Sequence, residues 1–207
     1  MKDTLITVPM KDPRAAKTRL GNTLGAAGRQ RLARLLYRRT LDFLGPIGRD
    51  TGADLAVVTG SAEAAELARK AGFHVIQEVV ETNLSAAANC AAAWAEAEGY
   101  RRLCLIPADL AAPDPSDVKH LLTHQADVAI CPSVDRGTNA LLVSLPTAIR
   151  FRYGPQSAVR HLEEAQANGL IAAMIPLESL SFDIDTSACL DRARRNVPDL
   201  SDLAATA

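Results

Sequence analysis

Short apolar runs alternate with helical patterns from the start of this chain to Gln77, and that alternation restricts the fold to one class. Leu5-Ile6-Thr7-Val8-Pro9 is a β-rich run that stops at a proline. Arg29 to Leu44 carries Leu32, Leu35, Leu36, Leu41 and Leu44 at helical spacing, with arginines on the other face. Asp54 to Thr59 reads as a buried strand, Ser61 to Ala71 as a helix ended by Gly72, and His74 to Gln77 as a further strand. Consecutive strands joined through helices pair in parallel, because a tight turn can only reverse the chain. The β-α-β-α-β order therefore predicts a parallel sheet covered on both faces. With 207 residues, the expected organisation is one domain, 1–207.

The rest of the chain continues the pattern. Asn83-Leu84-Ser85 opens an alanine-rich helix through Trp94, where the indole is expected to pack rather than stack on a base. Arg102 to Leu110 reads as a strand ending in Asp109, Val128 to Pro132 as another, Ile171 to Pro176 as a late strand, and Ser187 to Arg195 as a closing helix.

Several residues along this framework carry chemistry. Lys11, Lys17 and Arg19 follow the first strand, at the end where α/β sheets bind ligands. They can neutralise a triphosphate, or simply solvate a surface loop. Asp109 follows a central strand and is the strongest single metal-ligand candidate, although a carboxylate there also serves as a turn or cap residue. In Phe182-Asp183-Ile184-Asp185-Thr186 the two carboxylates alternate with apolar residues and share one face opposite Ile184. Such a pair repels unless protonated or bridged by cations, and either Asp185 or Thr186 can cap the last helix.

Two turns complete the set. Gly137-Thr138-Asn139 feeds an apolar strand, and Gly154-Pro155-Gln156 feeds a helix that can begin at Ser157. A helix start presents unpartnered N–H groups and positive partial charge, so both turns could face one anion, with Arg136, Arg152 and Arg160 nearby. The plainer alternative is that Ser157 caps its own helix. His120 and His124 lie one helical turn apart without a third ligand in reach, and read as exposed helix histidines.

Gly137-Thr138-Asn139-Ala140-Leu141-Leu142, followed by Phe151-Arg152-Tyr153-Gly154-Pro155-Gln156-Ser157 and Arg160-His161, resembles the guanylyltransferases that activate a three-carbon phospho acid in the biosynthesis of the deazaflavin coenzyme F-420. The resemblance extends to the segment from Lys11 to Leu20, to Pro107-Ala108-Asp109-Leu110, where Ala111-Ala112 replaces the usual Pro-Leu, and to Asp183-Ile184-Asp185-Thr186. It implies a three-layer α/β/α nucleotidyltransferase fold of the GT-A-like, nucleotide-diphospho-sugar transferase type with a mostly parallel sheet. It further implies GTP as substrate, held by Lys11, Lys17 and Arg19, and Mg²⁺ held by Asp109 with Asp183 or Asp185. Lys17, Asp109 and Asp185 become the expected catalytic residues, and Thr138, Gly154 and Ser157 the expected binders of the acid. Phosphoenolpyruvate, 2-phospho-L-lactate and 3-phospho-D-glycerate all remain open as acceptors. Where the family has Gly-Leu-Asn against the nucleotide, this chain has Thr82-Asn83-Leu84-Ser85.

Composition excludes other classes. A net charge of -1 offers no broad footprint for nucleic acid, and no apolar run approaches a membrane span. Cys90, Cys104, Cys131 and Cys189 form no C-x-x-C pair and read as small buried hydrophobes of a reducing, cytoplasmic compartment. A homodimer is a plausible assembly. Neither a P-loop nor a dinucleotide fingerprint occurs. A molybdenum-cofactor or sugar-phosphate nucleotidyltransferase of the same fold is the alternative enzyme, but the glycine-rich first loop of many such proteins is absent. Pro107-Ala108-Asp109 lacks the Asp-x-Asp of metal-dependent glycosyltransferases. A catalytically silent phosphate-ligand sensor is the non-enzymatic alternative, and its mark, loss of the carboxylates, is absent.

Overall fold

The computed structural model of this chain describes residues 2–78, 83–197 and 200. Thr82 lies outside the described residues. Among the described residues, seven strands form one sheet: β1 (Lys2–Pro9), β2 (Asp54–Thr59), β3 (His74–Gln77), β4 (Tyr100–Leu105), β5 (Val128–Pro132), β6 (Thr138–Ser144) and β7 (Ala172–Met174). Their order is β3-β2-β1-β4-β6-β5-β7. β3, β2, β1 and β4 pair in parallel, as do β5 and β7, whereas β6 runs antiparallel to both β4 and β5. The reversal has a local cause. Ser133 N–H donates to Gly137 O at 3.0 Å, closing a tight turn that can only return the chain antiparallel. A Cβ on Gly137 would stand 2.7 Å from Ser133 Oγ, so a side chain there would have to displace that hydroxyl.

The helices are α1 (Ala26–Thr51), α2 (Ala62–Lys70), α3 (Leu84–Ala97), α4 (Pro115–Thr123), α5 (Ser157–Ala167) and α6 (Ser187–Asn196). Alternation along the strands divides the core between two faces. Ile6, Val8 and Cys104 pack with α1, α2 and α4, while Leu5, Leu103 and Leu105 pack with α3 and α5. Each fully buried aliphatic side chain contributes about 1.5–3 kcal/mol, so both layers are strongly held. A third cluster joins Leu20, Leu32 and Leu36 to Ile184, Leu190 and Ala193. It seats the C-terminal segment and α6 against α1.

The element order follows the sequence expectation, with shifted boundaries. α1 runs beyond Leu44 and contains Pro46, because burial of Leu44 and Ile47 on one stripe outweighs the missing N–H. The late strand is confined to Ala172–Met174, where β5 supplies its partners. β4 ends at Leu105, so Asp109 stands in a turn beyond the strand. Cys104 and Cys131 are buried, whereas Cys90 and Cys189 are only partly so, because they lie on helix flanks rather than on the sheet. His120 is exposed, but His124 is half-buried just past α4, where Nδ1 accepts from Ala126 N–H at 3.1 Å. Trp94 packs against Tyr100 with ring centroids 6.1 Å apart. No helix among the described residues is long and apolar enough to cross a membrane.

Candidate active site

Backbone pairing between two distant segments builds the acidic half of the site. Ile184 N–H donates to Asp109 O at 3.1 Å, and Ala111 N–H donates to Phe182 O at 3.0 Å. Leu110 and Asp183 form an antiparallel bridge. Ile184 is fully buried in the third cluster, which anchors the segment and leaves its flanking aspartates on the other side. Asp109, Asp183 and Asp185 each thereby offer an oxygen within 4.8 Å of the others.

Lys17 enters this cluster from the loop after β1. Its Nζ lies 2.5 Å from Asp109 Oδ2 and 3.1 Å from Asp185 Oδ1, and only 6 % of its side chain is exposed. Burial opposes its charge, but the attraction of Asp109 and Asp185 outweighs burial and raises its pKa. Its backbone is left-handed, with φ 57°, a conformation that costs a residue bearing a Cβ on the order of 1–2 kcal/mol. The two ion pairs offset that cost. Arg19 is exposed and reaches Asp185 Oδ2 at 3.4 Å.

The third carboxylate is not satisfied by Lys17 alone. Burial, and then the negative charges of Asp109 and Asp185, push the Asp183 carboxyl up to about 6. Asn139, on β6, donates from Nδ2 to Asp183 Oδ1 at 3.3 Å and to Leu180 O at 3.0 Å, which fixes the carboxylate in place. Asn139 was legible only as a turn residue; its bond to Asp183 spans 44 positions of sequence, and no local signal announces it.

A cleft of about 670 Å³ opens beside the cluster, lined by Lys11, Lys17, Arg19, Asn83, Gly154 and Asp185 among others. Lys11 is exposed. Gly154 has φ 124°, which side-chain-bearing residues rarely adopt. The start of α3 is tied to this rim, since Tyr153 N–H donates to Ser85 Oγ at 3.0 Å.

The two turns meet directly. Ala158 N–H points to Arg136 O at 3.4 Å, and Ser157 Oγ lies 3.0 Å from Thr138 Oγ1. Ser157 is the first residue of α5 and makes no cap; the position before it is the left-handed Gln156, and Ser157 N–H is bonded to Gly154 O at 3.1 Å. Thr138 and Ser157 are buried, at 7 % and 0 % exposure, whereas Gly154 lines the cleft. Of the neighbouring arginines, Arg160 donates to Pro155 O at 2.5 Å and Arg152 pairs with Glu164 at 3.6 Å. The last helix is capped by Thr186, whose hydroxyl accepts from Cys189 N–H, which leaves Asp185 to the cluster.

Sequence reasoning assigned His161 no role beyond its place in the motif. It is fully buried; Arg152 N–H donates to its Nε2 at 3.0 Å, and its Nδ1 lies 3.1 Å from Thr138 Oγ1. Desolvation pushes its pKa down to about 4, so it is neutral near pH 7.

Helices over both faces of a mostly parallel sheet form an architecture shared with solved nucleotidyltransferases. A protein of Desulfovibrio desulfuricans described as a nucleotide-diphospho-sugar transferase superposes with a TM-score of 0.72 at 22 % identity, covering 99 % of this chain and 94 % of the other. A nucleotidyl transferase of Methanothermobacter thermautotrophicus superposes with a TM-score of 0.62 at 15 % identity, covering 94 % and 97 %. The fold is the α/β fold of nucleotidyltransferases.

Sequence similarity narrows the class. The chain is 37 % identical over 186 residues to a 3-phospho-D-glycerate guanylyltransferase of Colwellia psychrerythraea, covering 88 % of this chain and 87 % of that one. It is 30 % identical to a 2-phospho-L-lactate guanylyltransferase of Methanothermobacter thermautotrophicus (89 % and 81 % covered) and 31 % identical to a phosphoenolpyruvate guanylyltransferase of Chloroflexus aggregans (88 % and 92 %). The chain belongs to the family described as guanylyl transferase CofC like, whose profile matches residues 4–192, and is a nucleotidyltransferase.

Proposed function

We propose that this protein transfers GMP from GTP to the phosphate of a three-carbon phospho acid and releases pyrophosphate, a step of deazaflavin coenzyme F-420 biosynthesis. The observation that carries the reading is the pairing of residues 109–111 with 182–184, which gathers three carboxylates around Lys17 at the edge of a cleft rimmed by Lys11, Arg19 and Gly154. The names of the relatives support guanylyl transfer to phospho acids and differ in the acid.

The donor set suits a hard divalent cation such as Mg²⁺. All three groups are carboxylates, and burial first, then the charges of Asp109 and Asp185, raise the pKa of Asp183. Asp109, Asp183 and Asp185 would hold the ion, which when bound supplies charge neutralisation on the phosphates. Lys17 keeps the carboxylates together against their mutual repulsion. Lys11 and Arg19 offer positive charge to the triphosphate, and Thr138, Gly154 and Ser157 shape the acid-binding end.

In the transfer, a phosphate oxygen of the acid forms a bond to the α-phosphorus of GTP as the bond to the bridging oxygen breaks, and that electron pair leaves with pyrophosphate. The attacking oxygen is already anionic at neutral pH, so no side chain has to remove a proton. The work left to the protein is positioning and charge stabilisation.

Pyrophosphate release, measured with GTP and Mg²⁺ and each of the three acids in turn, tests this reading. Release with one acid, abolished by chelation, names the acceptor. No release with any of them, from folded protein that binds GTP, overturns the phospho-acid assignment.

A further inference from the structure

The buried hydroxyls of Thr138 and Ser157 have one proton more than their own network can use, and its direction follows from His161. A backbone N–H can only donate, so Nε2 of His161, 3.0 Å from Arg152 N, must be the unprotonated nitrogen. In the neutral ring the proton is then on Nδ1, pointing at Thr138 Oγ1 at 3.1 Å. Thr138 Oγ1 accepts that proton with one lone pair. Ser157 Oγ lies 3.0 Å away, and one hydroxyl proton serves that contact.

Which proton remains is decided by burial. Ser157 and His161 are fully buried, while Thr138 retains 7 % exposure. If Thr138 donated to Ser157, the Ser157 proton would be left without an acceptor in the interior, at a cost of about 1–3 kcal/mol. If Ser157 donates to Thr138, both lone pairs of Thr138 are filled and its own O–H is the one left over, on the one residue of the trio that is not fully buried.

We propose that His161 is a positioning residue which, held as the Nδ1–H tautomer by the Arg152 amide, fixes the Thr138 hydroxyl as an outward-facing hydrogen-bond donor for an anionic group of the acceptor substrate. The inference rests on the acid-binding reading of Thr138 given above and goes beyond it in assigning the residue that sets the polarity of that hydroxyl. An anion that can only accept hydrogen bonds is favoured there, and a neutral hydroxyl-bearing analogue gains less, because Thr138 has no lone pair left to offer it. The edge of the Tyr153 ring against His161, at 5.3 Å and 74°, holds the imidazole plane.

Two measurements test this. Nitrogen-15 spectra of the substrate-free protein, with His161 assigned by its loss in a variant, should show the less common Nδ1–H tautomer; an Nε2–H tautomer overturns the proposal. The second compares His161→Asn with His161→Gln. The asparagine amide reaches the place of Nδ1 and keeps a donor to Thr138, whereas the glutamine amide reaches the place of Nε2 and does not. With wild-type protein and its acceptor acid as reference, His161→Gln should raise the KM for the acid roughly tenfold, with the KM for GTP little changed, and His161→Asn should restore most of that loss. Equal effects of the two variants on the acid, or no effect of either, leave His161 a packing residue and overturn the proposal. Should wild-type protein release pyrophosphate with none of the acids, the substrate reading falls by itself, and the spectrum still decides whether His161 sets the Thr138 hydroxyl.

Discussion

The amide of Ile184 donates to the carbonyl of Asp109 at 3.1 Å, across 75 positions of sequence. One backbone bond thus fixes the distance between the carboxylates on the two sides of the cluster, with the side chain of Ile184 buried beneath them. The geometry of the acidic site is therefore a property of main-chain pairing and core packing, not of the aspartates alone.

Replacing Ile184 with alanine tests that dependence. Loss of a fully buried isoleucine should cost about 2–5 kcal/mol of stability. The same variant should need more Mg²⁺ for half-maximal activity, because the segment carrying Asp183 and Asp185 loses its anchor. Denaturant melts and a metal titration check both halves; destabilisation with an unaltered metal requirement would separate the packing from the site.

Asp109→Asn should lower turnover by on the order of a hundredfold or more while leaving the fold intact. The variant removes the nearer of the two carboxylates that pair with Lys17. Circular dichroism and pyrophosphate release together are the check, and near-normal turnover would remove Asp109 from the mechanism.

Asp183→Asn should act in opposite directions on stability and function. Its carboxyl is raised to about 6 by burial and by Asp109 and Asp185, so its charge opposes folding near pH 7. Neutralising it should raise the melting temperature of metal-free protein by a few degrees. Activity should fall. A lowered melting temperature would show that the bond from Asn139 outweighs the repulsion.

Ser157→Ala should raise the KM for the acid, since the hydroxyl bonds to Thr138 and caps nothing. A melting-temperature change with no change in that KM would place Ser157 in the packing of α5 only.

Stability should also depend on pH through His161. Its folded pKa, about 4, lies below the ordinary 6.5, with burial the main cause; Glu164 works against the shift and Arg160 with it. The unfolded chain binds the proton more readily, so this contribution is complete above about pH 6.5, declines as pH falls, and is exhausted below about pH 4. The loss amounts to about 3 kcal/mol for a shift of this size. Asp183, raised to about 6, works in the opposite direction over the same range, so urea melts between pH 7.5 and 4.5 should show the His161 slope in the Asp183→Asn background and a shallower one when His161→Gln is added.

Strand and helix order was legible because it is written locally. Alternation places Ile6 and Val8 under one helical layer and Leu5 under the other, and glycines with left-handed backbones, Gly72 among them, end helices where the sequence says they should. The ends of α1 and β4 were not, since whether Pro46 is tolerated depends on what Leu44 and Ile47 bury against.

The site divides along the same line. Its residue types and their positions after strands were readable, including the alternation that sets Asp183 and Asp185 opposite Ile184. Pairings across dozens of residues were not: Lys17 with Asp109 and Asp185, Asn139 with Asp183, and His161 with Thr138. Periodicity and turn chemistry act over a few residues, whereas these contacts arise only when the sheet has closed and low-dielectric surroundings make an unpartnered charge or polar hydrogen costly. Sequence alone determined which groups this protein has to offer, and tertiary structure decided which of them spend their charge and hydrogen bonds on one another.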